Sequence, residues 1–243
     1  MTYFYGGIFL LNLLALLTVL FRPALFGNKL YKPMLKNIWL SVLPVIVLLI
    51  SFLVSLNLGR YGYMNDNRTL IIVGFIGAVF GFIIWLLLLP NAGYLITELN
   101  LNHRTIDKVE VPLWYDIIGV LTLSMSGVVN TMLNVMLVQM IYISMFYPTR
   151  LFEITFSTHP QLWIIISVLF VLVSFGIYIG RYIRFNSWDV LHPAEMLRKF
   201  RSHVREKGNK KNMFLFVLFY ALFFFLIYLI IIIPMFQSGV VWH

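Results

Sequence analysis

Six stretches of this chain are apolar over nineteen residues or more, and this constrains its fold more than any other feature. They run over residues 3–21, 38–58, 70–89, 117–146, 161–180 and 213–236. A bilayer's hydrocarbon core is about 30 Å thick and takes about 20 helical residues to cross. With 61% hydrophobic and only 11% charged residues, the chain is far from the soluble average of about 45–50% and about 25%. The expected fold is all-α: a polytopic transmembrane helix bundle with six spans, residues 1–243 forming one membrane domain. The first run has no basic residue before Arg22 and no small-x-small cleavage site after it, so it is read as a retained span rather than a signal peptide.

Charge sets the orientation. Formal net charge is +9, and the basic residues gather in the loops between apolar runs, which points to a membrane surface and not to nucleic acid. Alternate loops carry fifteen Lys and Arg on one face and three on the other. Cytoplasmic loops hold the excess, so both termini are expected to be extracellular and the chain to reside in the cell (plasma or inner) membrane. The chain has no cysteine, which excludes disulfides, thiolate metal sites and thiol nucleophiles. No metal site and no cofactor is expected.

Small and polar residues inside the runs mark packing faces. Gly74, Gly77 and Gly81 in the third run, and Gly176 and Gly180 in the fifth, have the spacing that lets helix backbones approach closely in lipid. The sixth run is bulky all round and is expected at the bundle edge. In the fourth, Thr122, Ser126, Asn130 and Asn134 fall at steps of four and form one ribbon along a helix face, with Gln139 about a turn further on. Such a ribbon faces inward, either as interhelical glue or as a solute path. No Asp, Glu, Lys or Arg stands near the centre of any run, which argues against an ion-coupled pump.

The remaining chemistry collects on the predicted cytoplasmic face. Pro90 and Asn91 are expected to end the third helix, since proline cannot continue it cleanly. Glu98 follows, then Asp116 at the start of the fourth span, where a carboxylate suits the helix dipole. After the fifth span come Arg181, Arg184, Asn186 and Asp189. The two arginines share a helix face at i, i+3, and a carboxylate at this depth requires a partner. Asn91, Glu98, Asp116, Arg181, Arg184, Asn186 and Asp189 are the candidate polar cluster, roofed by Trp114 and Trp188. Pro193 then opens a helix over 193–208 with Leu197, Phe200 and Val204 on one side. Arg198, Lys199, Arg201, Arg205 and Lys207 cover much of the rest, the pattern of a cytoplasmic interfacial helix on an anionic leaflet.

LPNAGYLITEL (89–99), VPLWYD (111–116) and GRYIRFNSWDVL (180–191), in this order, resemble an uncharacterised bacterial membrane family, domain of unknown function 1361. In that family proline often follows the Asn-Ala pair and aspartate holds the acidic position, where this chain has Gly93 and Glu98. His103 is the candidate counterpart of a family histidine. The resemblance implies that the motifs act as a unit and implies no activity.

Function is narrowed by what the motifs lack. Glu98, Asp116, Asp189, His103 and His192 offer acid–base groups and Arg181 and Arg184 can hold a phosphate, but no HExxH, GxSxG or glycine-rich phosphate loop is present. The reading is an accessory or regulatory membrane subunit of unknown activity, binding a partner protein or anionic lipid at its cytoplasmic face. The alternatives are a transporter or channel through the fourth-span ribbon and an enzyme acting on a phosphate-bearing lipid. The orientation is checked directly: a reporter fused at His243 is expected to be active only outside the cytoplasm, and a signal confined to the cytoplasm overturns it.

Overall fold

The computed structural model describes residues 2–99, 111–147, 159–183 and 192–237. Helix α1 covers Thr2–Phe26, α2 Lys32–Met64, α3 Arg68–Leu88 and α4 Pro90–Gly93; α5 covers Leu113–Phe146, α6 Gln161–Tyr178, α7 Pro193–Arg205 and α8 Asn209–Gln237. A 3-10 turn, Tyr94–Leu99, follows α4, and a π turn, Ile179–Ile183, follows α6. Six helical segments are long and apolar enough to cross a membrane: Tyr3–Phe26, Lys32–Met64, Arg68–Thr97, Leu113–Phe146, Gln161–Ile183 and Asn209–Met235. The chain is an all-α polytopic bundle. Most segments outrun the apolar runs that announce them, because a helix stops at its caps and not where hydropathy falls. Gly27 closes α1 at φ +70°, its N–H donating to Pro23 O at 2.9 Å, the left-handed cap that glycine adopts without a Cβ penalty. Asn67 opens α3, its side chain accepting from Leu70 N–H at 3.2 Å, as N-caps do.

The chain divides into two compact units, residues 8–134 and residues 1–7 with 135–243, the division falling within α5. In the first unit α2 and α3 form an antiparallel hairpin built on glycine. A Cβ on Gly62 would lie 2.9 Å from Asn67 O and Ile71, one on Gly74 would lie 2.9 Å from Ser55 O, and one on Gly81 would overlap Ser51. Removing side chains there lets the backbones meet, which is how helices associate when lipid supplies no hydrophobic drive between them.

As expected, α3 ends at Leu88, just before Pro90. Leu89 nevertheless keeps right-handed helical angles (φ −53°, ψ −39°), although the residue before a proline disfavours them, and the short α4 begins at Pro90 beside α2. Ser41 Oγ on α2 donates to Ala92 O at 2.8 Å, while Leu89, Ala92 and Leu95 are fully buried. Packing outweighs the local preference. Leu95 also joins Ala15, Val19, Met34, Ile38 and Leu123 in the core of this unit.

In the second unit α6 packs on α8. Phe170 stacks on Phe224 with ring centres 5.8 Å apart and meets Tyr228 edge-on at 5.6 Å. Phe224, Tyr228 and Ile232 recur every four residues and are fully buried. The sixth span thus has a defined packing face, where its uniformly bulky sequence announced none; shape complementarity between large rings substitutes for small residues. Phe219 and Ile230 on its other faces remain exposed.

The hairpin yields a test. Alanine is favoured over glycine in a helix by about 1 kcal/mol, yet Gly81→Ala is expected to destabilise the fold, by about 1–3 kcal/mol, as overpacking does. Gly59→Ala, whose Cβ meets nothing within 4 Å, is expected not to. Thermal unfolding of the two variants in detergent checks the difference.

Candidate functional site

Asn12 is an amide in the middle of an apolar helix, and in hydrocarbon such a group must find partners within the protein. It finds them on α5. Asn12 Nδ2 donates to Ile8 O at 2.9 Å and to Asn130 Oδ1 at 3.0 Å. Asn130 Nδ2 returns a bond to Asn12 Oδ1 at 2.9 Å and gives another to Ser41 Oγ at 3.0 Å. Ser126 Oγ donates to Asn12 Oδ1 at 2.7 Å. Ser41, accepting from Asn130, itself donates to Ala92 O. One turn on, Asn134 Nδ2 donates to Asn130 O at 2.8 Å and its Oδ1 accepts from Trp85 Nε1 at 2.9 Å. The chain of bonds joins α1, α5, α2, α4 and α3. Ser41, Trp85, Ser126 and Asn134 are fully buried and Asn130 is 2% exposed.

Three of the four ribbon residues come together in this network. Thr122 does not join it: its Oγ1 donates to Gly119 O of its own helix at 3.0 Å. Sequence reasoning missed Asn12, Ser41 and Trp85. The available signal was that Asn12 is the one amide of the first span, as Asn130 and Asn134 are the asparagines of the fourth. Every donor hydrogen of the Asn12, Asn130 and Ser41 side chains has an acceptor. Such an arrangement ties α1, α2, α4 and α5 together through neutral, matched groups.

At the end of this unit an ion pair forms. Arg22 Nη2 lies 3.2 Å from Asp116 Oδ1, with both side chains largely buried. Tyr115 OH donates to Thr18 O at 2.8 Å, and its ring meets Phe26 at 4.9 Å and Trp114 at 5.5 Å. Pro23, next in α1, has no N–H to give Val19 O. Asp116 therefore has Arg22 as an ion-pair partner, a residue absent from the expected cluster. Trp114 is 65% exposed and Asn91 half-buried. Glu98 is described as backbone only, in the 3-10 turn. Arg184, Asn186, Trp188, Asp189 and His103 lie outside the described residues.

The second unit places Arg181 half-buried on the π turn. There hydrogen bonds run i→i+5; the expected Arg181–Arg184 face falls partly outside the described residues. Gln139 is fully buried, donating to Leu162 O at 3.3 Å and accepting from Tyr228 OH; it serves the α6–α8 side and not the ribbon.

Helix α7 presents Arg198, Lys199, Arg201 and Arg205 exposed, with Lys207 exposed in the turn after it. Its other side, Met196, Phe200, His203 and Val204, is half-buried. Phe200 meets Phe175 at 6.0 Å, and His203 Nε2 shares a 2.9 Å hydrogen bond with Tyr178 OH. Asn209 Nδ2 bonds His203 O at 3.0 Å and Glu206 Oε2 at 2.8 Å, which fixes the joint into α8. Of the three apolar residues read from the sequence, Phe200 and Val204 turn toward the protein, while Leu197 is exposed. Among the described residues, no three His, Asp or Glu side chains gather in a way that could hold a metal ion.

A family profile described as Protein of unknown function (DUF1361) matches residues 37–229, a longer stretch than the three motifs span. No curated protein and no solved structure matches the chain.

The polar network carries its own prediction. Each interhelical hydrogen bond in a membrane is worth about 0.6 kcal/mol, and Asn130 side-chain atoms make three, so Asn130→Ala is expected to cost about 2 kcal/mol. Thr122→Ala, losing only a bond within its own helix, is expected to cost under about 0.5 kcal/mol. Chemical unfolding in mixed micelles distinguishes them.

Proposed function

This chain belongs to the DUF1361 family, proteins of unknown function, and on that premise we propose that it is an accessory or regulatory subunit of the cell (plasma or inner) membrane, not a catalyst. It holds anionic lipid against its cytoplasmic face through α7. One observation carries the reading: α7 turns Phe200, His203 and Val204 inward and leaves Arg198, Lys199, Arg201 and Arg205 exposed. A helix docked by its apolar side onto its own bundle presents its charges at a constant height, and each Lys or Arg near an anionic leaflet is worth about 1 kcal/mol. The loop asymmetry of fifteen basic residues against three supports placing this face in the cytoplasm.

The competing transport reading loses support, because Ser126, Asn130 and Asn134 are bonded to Asn12, Ser41 and Trp85. The enzyme reading draws on Arg184 and Asp189, which lie outside the described residues, and on Asp116, which has Arg22 as a partner.

The experiment is spin-labelled lipid association with the protein reconstituted in phosphatidylcholine. Phosphatidylglycerol is expected to associate several-fold more strongly than phosphatidylcholine, with a preference that falls as salt rises, since exposed charges are screened within about 10 Å at 0.1 M. Replacing Arg198, Lys199, Arg201 and Arg205 together by Gln is expected to bring the preference close to unity. An unchanged preference overturns the role of α7, and a stoichiometric protein that co-purifies through α7 replaces lipid as its partner.

A further inference from the structure

In the second unit a lateral cavity of about 440 Å³ opens between α6 and α8. Ser167 and Val171 form one wall, and Phe214, Val217, Ala221 and Phe225 the other. It exists because small side chains oppose each other: Ser167 on α6 and Ala221 on α8 leave a gap that the large residues around it do not close. Its lining is almost wholly apolar, so water has no reason to occupy it.

Its length and its position identify the occupant. From Phe214 to Phe225 is eleven residues, or about 16 Å at the helical rise. The hydrocarbon of one leaflet is half of about 30 Å. A transmembrane helix of a second copy or of another protein would need a seam along the whole bilayer, whereas this cavity covers one leaflet. Lys210 precedes Phe214 by one turn and Val217 by two, so it stands on the same face of α8, exposed, with Lys211 exposed beside it. The Asn209 side chain holds the joint between α7 and α8 immediately before them. A greasy slot one leaflet deep therefore ends at two ammonium groups, near the positive end of the α8 dipole.

We propose that this groove is a binding site for one anionic phospholipid, an acyl chain lying along Ala221 and Ser167 and the phosphate held by Lys210 and Lys211. The site rests on the lipid-facing role assigned to α7 but uses different residues. It holds one lipid in a defined place, where α7 attracts many.

Native mass spectrometry of the full chain in mild detergent, supplied with phosphatidylglycerol or phosphatidylcholine, tests it. The wild type is expected to retain one phosphatidylglycerol, at least tenfold in preference to phosphatidylcholine. Ala221→Phe and, from the opposite wall, Ser167→Leu each fill the slot and are expected to reduce retention at least tenfold. Lys210→Glu with Lys211→Glu is expected to abolish the headgroup preference. Phe219→Ala, on an exposed face of α8 away from the slot, is expected to change nothing. Failure of the wild type to retain a lipid, retention unaffected by both filling variants, or a dimer that they dissolve would each overturn the site. The α7 Gln variant separates the two readings: a lost annular preference with the single lipid retained supports the groove as a distinct site. Loss of the single lipid in that variant overturns the assignment to Lys210 and Lys211.

Discussion

A polar group in hydrocarbon has no water to turn to, and the first unit of this protein is organised around that fact. Asn12 and Asn130 exchange amide hydrogen bonds between α1 and α5. Asn130 then reaches Ser41 on α2, and Ser41 reaches the Ala92 carbonyl on α4. An unsatisfied amide here costs several kcal/mol, so each bond specifies its neighbour more strongly than its own modest strength suggests. The glycine face of α3 does the complementary work. It brings α2 and α3 close together, and beyond Pro90 Ser41 meets Ala92.

That arrangement has a functional consequence. A polar ribbon inside a membrane span can be a path or a fastening, and the difference lies in whether its valences are open. Here they are closed by neutral partners. The ionised groups lie elsewhere: the Arg22–Asp116 pair at one end of this unit, and the exposed basic surface of α7 and the start of α8 in the other. On this distribution rests the proposal of a protein that organises lipid or a partner.

The sequence was informative wherever the signal was local. Apolar run length announced the spans, and the spacing of Gly74, Gly77 and Gly81 announced a close helix contact. The basic residues of α7 and its start at Pro193 were equally visible. What was not legible involved partner choice. Asn12 and Asn130 are 118 positions apart, and nothing in either neighbourhood names the other. Pro90 marked the end of α3 correctly, but nothing local announced the short α4 after it or the burial of Leu89, Ala92 and Leu95. Arg181 falls in a π turn, which no local feature of the sequence announced. The candidate cluster of Arg184, Asn186, Trp188 and Asp189 lies outside the described residues.

Composition and periodicity alone determined that this chain is a bundle of membrane-crossing helices with a basic face. Transfer of apolar surface out of water depends on residue type and run length, both of which are written along the chain. Tertiary structure decided which polar groups satisfy one another, that a short helix runs on beside α2 after Pro90, and that a slot opens between Ser167 and Ala221. Those outcomes depend on which surfaces meet in three dimensions, since a hydrogen bond or a void is a property of two segments and belongs to neither by itself.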